Sequence, residues 1–209
     1  MNTTGTSAES FPAFFDQAPR IRLRDPLADF LGAADGGIIE YGYADAVRLA
    51  GHSCPTVAGA WLMTRRALTH LYGEPLPERG AIKVEFRDDM LAGVTGVIAN
   101  VVSLLTGATH NSGFKGIAGR FDRRNLLFFN VTMRATMRFT RLDSEASCAV
   151  DYQPQRVPAP PELAPLMQKA ISGSASDAER REFARLWQER VRQILIEHAD
   201  DPELVLLQR

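Results

Sequence analysis

Cysteine is scarce in this sequence: Cys54 and Cys148 are the only two among 209 residues. Two thiols cannot build a disulfide framework for a chain of this size. Nor can they supply the four thiolates of a zinc ribbon, so any metal centre must recruit histidine, carboxylate or water. Long apolar runs are also missing. Residues 97–105 form one of the longest apolar segments, well short of the ~20 residues that span a bilayer. Residues 1–10 lack the charged start and apolar core of a secretory signal, which makes the cytoplasm the expected compartment. Neither sign of charge dominates: 24 Lys and Arg stand against 25 Asp and Glu. With a net charge of -1 and no basic stripe, the sequence argues against nucleic acid as a partner. What remains is 45% hydrophobic and 23% charged, the balance of one ordinary globular domain rather than a disordered chain.

The periodicities predict an α+β fold: a mixed or antiparallel sheet flanked by helices, with a C-terminal helical extension. Residues 1–20 read as a polar leader in which Phe11, Phe14 and Phe15 are docking points. A short helix over 27–31 and a β-prone stretch over 38–43 follow, then a short helix over 44–50. The clearest helix runs over 55–72. Pro55 suits the first helical position, Val57, Trp61, Leu68, Leu71 and Tyr72 recur at helical spacing, and Gly73 stops it. Residues 81–87 alternate as a strand. Residues 95–106 form a helix apolar nearly all round, hence buried, and Gly107 opens a glycine-rich loop to 119. Strands are expected over 126–131, 133–140 and 146–152. Residues 21–153 thus make the α+β body. Residues 154–209 make a proline-rich connector and C-terminal helices, packed on the body or on a dimer partner. The connector holds four prolines between 154 and 161, and Ser176 with Glu179 forms a capping box.

The chemistry points to Gly51-His52-Ser53-Cys54-Pro55. Cys54 falls at a predicted helix N-terminus, where unpaired backbone N–H groups and the helix dipole favour negative charge, the state of a ligating or nucleophilic sulfur. His52, two residues away, is placed to share a metal with it or to act as its base. The plain alternative is a buried structural cysteine beside a surface histidine. His110, in the glycine-rich loop after the second helix, is the natural third ligand, and His52, Cys54 and His110 form the expected metal set. Trp61, Asn111 and Lys115 are the candidate cofactor contacts, with Lys115 placed to assist a phosphate in the glycine-rich loop. The P-loop order is absent, however, and that loop follows a helix rather than a strand. Cys148, in a predicted strand, reads as inert core.

These motifs resemble the FmdE-like family of formylmethanofuran dehydrogenase proteins. Gly51-His52-Ser53-Cys54-Pro55 matches that family's Gly-His-x-Cys-Pro motif, and Leu105-Thr106-Gly107-Ala108-Thr109 its second motif, an apolar helix running into a glycine- and lysine-bearing loop. The resemblance covers roughly residues 40–150. It implies an α+β domain, often a homodimer, holding a transition metal, most often zinc, at His52 and Cys54. The sequence departs from the family at Ala50, Thr56, Val97, Asn100 and Ala108. Ala108 stands where the second motif has its cysteine, and His110 is then the replacement ligand.

Four functions follow as expectations. The chain is a metal-binding protein, enzymatic or not, acting on an unnamed small molecule. It is a haem or organic-cofactor binder, for which His and Cys are suitable axial ligands. It is a thiol enzyme with Cys54 as nucleophile. Or it is a non-catalytic assembly module built around the C-terminal helix.

Overall fold

Local sequence signals settle most of the elements in the computed structural model, which describes residues 10–208. Residues 1–9, the start of the expected polar leader, lie outside the described residues. The short 3-10 turn Ala13–Gln17 buries Phe15 against Tyr43, ring edge to ring face. Strand β1 (Ile21–Arg24) points Ile21 and Leu23 inward and Arg22 and Arg24 outward. Helix α1 (Pro26–Phe30) is capped by Asp25, whose side chain accepts from the N–H groups of Leu27 and Ala28. Strand β2 (Ile38–Tyr41) pairs antiparallel with β1 in register Ile21↔Tyr41. Gly37, at φ +70°, makes the turn before it. A Cβ there would lie 2.3 Å from the Asp25 carbonyl oxygen, so only glycine fits.

Helix α2 (Tyr43–Ala50) ends at Gly51 in the left-handed conformation, and α3 (Pro55–Tyr72) starts four residues later with Cys54 at its cap. The middle of α3 is buried all round. Val57, Ala58, Ala60, Trp61 and Met63 have no exposed surface, because the helix lies between the main sheet and helices α2 and α4 (Thr95–Thr106). Small residues permit that sandwiching: the Tyr152 ring rests directly on Gly59.

The main sheet has five strands in the order β4-β3-β5-β6-β7. They are β3 (Ile82–Phe86), β4 (Leu127–Phe128), β5 (Met137–Arg141), β6 (Ser147–Tyr152) and β7 (Val205–Gln208). Only the β3–β4 pair is parallel. Ile82, Val84, Phe86, Met137, Phe139, Cys148 and Val150 form its buried face. The fold is therefore α+β, a mixed sheet flanked by helices. Helix α5 (Leu163–Ile171) and helix α6 (Asp177–Arg192) follow the proline-rich connector. The capping box is present: Ser176 Oγ accepts from Glu179 N, and Ser176 N donates to Glu179 Oε2 at 2.8 Å. Helix α6 runs into a π turn (Gln193–Glu197) that buries Ile194 and Leu195, and β7 then joins the sheet beside β6. The tail thus packs on its own body. Among the described residues, no helix is long and apolar enough to cross a membrane.

Two expectations need correction. The strand expected over 126–131 shrinks to the two residues of β4, because Asn125 and Asn130 both take positive φ and end the pairing on either side. The strand expected over 133–140 begins only at Met137, and residues 134–136 are a bend that bonds elsewhere: Thr136 N and Oγ1 both donate to Asp151 Oδ1 at 2.7 Å.

A buried ion triad ties the two layers together. Asp25 Oδ1 accepts from Arg123 Nη2 at 2.6 Å, and Asp25 Oδ2 from Arg79 Nη1 at 2.8 Å. Arg79 also donates twice to the Leu104 carbonyl at the end of α4. Arg123 is 5% exposed, and its Nε and Nη1 find no partner among the described residues. This cluster fastens the loop after α4 to the N-terminal layer.

Candidate functional site

The segment between α2 and α3 is held from both sides. Gly51, at φ +73°, turns the chain. His52 is exposed, with Nδ1 2.9 Å from the Ala50 carbonyl. When Nδ1 carries the proton it donates to that carbonyl, which fixes the ring and leaves the Nε2 lone pair free for a metal. Ser53 Oγ bonds the Tyr43 hydroxyl at 3.1 Å, and the Ser53 carbonyl accepts from Trp187 Nε1 at 2.9 Å and Gln188 Nε2 at 3.2 Å. Helix α6 is therefore clipped to the residue before Cys54. Cys54 caps α3, with Sγ accepting from Val57 N–H at 3.4 Å. The cap geometry agrees with the helix start expected from the sequence.

Cys54 and His52 open into a cleft of about 640 Å³. Its walls are chiefly apolar: Pro55 and Met63 of α3, Val97 and Ile98 of α4, and Trp187 of α6. Tyr152, Thr136 and Arg190 supply the polar edges. Volume and lining match the range typical of small-molecule sites. The Tyr152 hydroxyl is buried and has no hydrogen-bond partner among the described residues. Burial raises its pKa well above that of a free phenol, with the nearby Arg190 charge opposing the rise. Burial likewise raises Tyr43, against the hydrogen bond from Ser53. Both phenols are neutral at ordinary pH, and Tyr152 is an unused O–H donor.

His110 does not join this cleft. It is exposed in a second groove of about 370 Å³ with Asn100, Ser103 and Thr109, its ring 6.0 Å from that of Phe129. The reason is the direction of α4. Val97 and Ile98, in its first turn, line the cleft. From Ile98 to its last residue, Thr106, the helix then carries the chain about 12 Å away before the glycine-rich loop begins. The start of α4, not its end, meets the start of α3. The expected set of His52, Cys54 and His110 is therefore not assembled. Among the described residues, no group of three or more His, Cys, Asp or Glu side chains stands close enough to hold a metal ion.

The other candidates separate in the same way. Trp61 is fully buried two turns into α3, donating to the Pro19 carbonyl at 2.9 Å and packing edge-on against Tyr43; it is core, not cleft wall. Asn111 and Lys115 are exposed on the loop after α4 and line neither groove. Cys148 is buried under α3, and burial pushes its thiol up to about 12.

No protein-family model matches the chain, and no match is found among curated proteins. The site stands on its own geometry. Tyr152, Trp187 and Arg190 line the cleft although the sequence does not mark them as a site. Trp187 and Arg190 sit three apart on a largely apolar stripe of the tail, with Phe183, Leu186, Ile194 and Leu195, and that stripe is their only local signal.

Proposed function

We propose that this protein binds a small organic molecule in the cleft between α3, α4 and α6, with His52 and Cys54 at its mouth as donors to a metal that the molecule carries or that binds beside it. The observation that carries this reading is the pairing of the two donors with one chiefly apolar cleft of about 640 Å³. Structural zinc sites take four protein ligands and catalytic ones usually three. Two donors leave the remaining positions to the ligand or to water. That suits zinc with a chelating small molecule, or a macrocycle such as haem that brings its own four nitrogens. The resemblance to FmdE-like proteins supports the same two residues, and with them a homodimer in the cytoplasm, where two buried free thiols stay reduced.

Titrating the wild type and a His52→Ala, Cys54→Ser double variant with Zn²⁺ and separately with haemin tests the reading. Stoichiometric binding of either one by the wild type, lost in a variant whose circular dichroism is unchanged, is expected. Equal binding or equal failure to bind by the two proteins refutes the metal part of the proposal. Light scattering on the same samples reports whether the chain is a dimer.

A second reading follows from the hydrogen bond that Val57 N–H donates to Cys54 Sγ: Cys54 is a nucleophile toward an electrophile seated in the cleft. The His52 ring is turned to the Ala50 carbonyl rather than to the sulfur, so such a thiol works without a histidine base.

A further inference from the structure

Arg190 is an isolated cation facing a chiefly apolar cleft. Its Nε donates to the Val157 carbonyl at 2.8 Å and its Nη2 to the Pro154 carbonyl at 3.1 Å, which pins the guanidinium at the cleft edge. These contacts satisfy two nitrogens and none of the charge. On the same helix, Arg180, Arg185 and Arg192 each pair with a carboxylate. Arg190 has no carboxylate within ion-pair distance among the described residues, and it is half-buried rather than free in solvent. The Arg190 charge acts on the Tyr152 phenol, whose hydroxyl is a buried donor with no partner among the described residues. Gly59 holds that ring in place, since only a residue without a Cβ lets it lie on α3. An uncompensated charge and an unused donor, both partly desolvated, are unfavourable unless an acceptor meets them. A carboxylate satisfies both, because it takes charge-assisted hydrogen bonds from a guanidinium and a phenol at once. Away from this pair, Met63, Val97, Ile98 and Trp187 line the cleft with apolar surface.

We propose that the cleft selects an amphipathic organic acid, seating its carboxylate on Arg190 and the Tyr152 hydroxyl and its apolar body along Met63, Val97 and Ile98. This inference rests on the cleft being a ligand site and names the class of ligand; it is independent of whether His52 and Cys54 hold a metal. Fatty-acid-like molecules and porphyrin carboxylates share the required chemistry.

Calorimetric titration with decanoate and with decanol, matched in chain and differing in the anionic head, tests it on the wild type, Arg190→Gln and Tyr152→Phe. Decanoate should bind the wild type about ten- to a hundredfold more tightly than decanol, the range expected for charge-assisted hydrogen bonds. Arg190→Gln should bring the two ligands within about threefold of each other, with decanol little changed, since a lost charge-assisted bond accounts for about that whole range. Tyr152→Phe, which keeps the ring on Gly59, should remove part of the preference. Arg190→Lys keeps the charge and guards against a folding effect: it should retain a preference that Arg190→Gln loses. Equal binding of decanoate and decanol by the wild type overturns the carboxylate inference while leaving the cleft as a ligand site. A preference that survives in Arg190→Gln overturns it as well. Failure of both ligands to bind overturns the cleft reading and this inference together.

Discussion

Gly59 gives the sharpest test of the packing that shapes the cleft. Glycine in a helix interior is costly, so Gly59→Ala on an unhindered face of α3 should stabilise by about 1 kcal/mol. Here the face is not free. A Cβ at position 59 would lie 2.4, 2.6 and 2.7 Å from Cε1, Cδ1 and Cζ of Tyr152, whereas carbon atoms pack best at about 3.5–4.0 Å. Either the ring or α3 must move by about an ångström, and overpacking on that scale costs about 1–3 kcal/mol. Gly59→Ala should therefore be neutral to destabilising by up to about 2 kcal/mol. The ring's escape lies toward the cleft, so decanoate binding should fall too. The decisive assay is a double-mutant cycle in urea, read by circular dichroism. With the ring removed in Tyr152→Ala, the same Gly59→Ala change should recover its stabilising value of about 1 kcal/mol, giving a coupling of about 1–3 kcal/mol. If Gly59→Ala stabilises both backgrounds equally, the ring does not rest on Gly59 and the assigned shape of the cleft is wrong.

Three further outcomes follow from the buried groups. Arg123→Met should cost about 3 kcal/mol, the lower end for breaking a buried pair, because Arg79 stays on Asp25; a shift of the urea midpoint worth less than about 1 kcal/mol would deny the triad its fastening role. Asp25 also sets an acid limit. Burial alone would raise its carboxyl, but the Arg79 hydrogen bond and the Arg123 charge outweigh that and hold it below the ordinary value. A carboxyl with a depressed folded pKa contributes stability above its unfolded value, about 4, and loses it as pH falls through the folded one. Urea midpoints taken from pH 6 to pH 3 should fall more steeply in the wild type than in Asp25→Asn, and parallel slopes would contradict this. Finally, the cleft-lining Cys54 should be the one thiol alkylated by iodoacetamide in the native protein. Cys148, 2% exposed and with its thiol pushed up to about 12 by burial, should react only after unfolding. Native labelling that persists in Cys54→Ser refutes that assignment.

The elements legible in the sequence are those whose signals are local. Pro55 and Gly73 bracket α3, Gly107 ends α4, and Ser176 with Glu179 opens α6, each through contacts within four residues. Strands β1 and β7 are illegible for the opposite reason. Ile21-Arg22-Leu23-Arg24 is only four residues long and becomes a strand by pairing with residues 38–41, and Val205–Gln208 by pairing with β6 more than 50 residues earlier. The site divides along the same line. His52 and Cys54 are legible because a helix start marks its own chemistry, and both do line the cleft. The place of His110 is not, because the sequence gives the two ends of α4 equal standing. Which end meets α3 is decided by packing across Val97, Ile98 and Met63, which no local pattern states.

The same distinction explains why the tail matters more to the site than its apolar stripe suggests. A stripe says that a face is buried and is silent about the neighbour. Trp187 and Gln188 donate to the Ser53 carbonyl, 134 and 135 positions away, and so fix the backbone that presents Cys54. Arg190, one position short of a further turn from Trp187, delivers a charge to the cleft that residues 21–153 do not provide there. Both the position of the thiol and the polarity of the cleft are thus set by α6. A carboxylate preference that depends on Arg190 would mean that this helix, which by sequence alone looks like an accessory for assembly, determines what the protein binds.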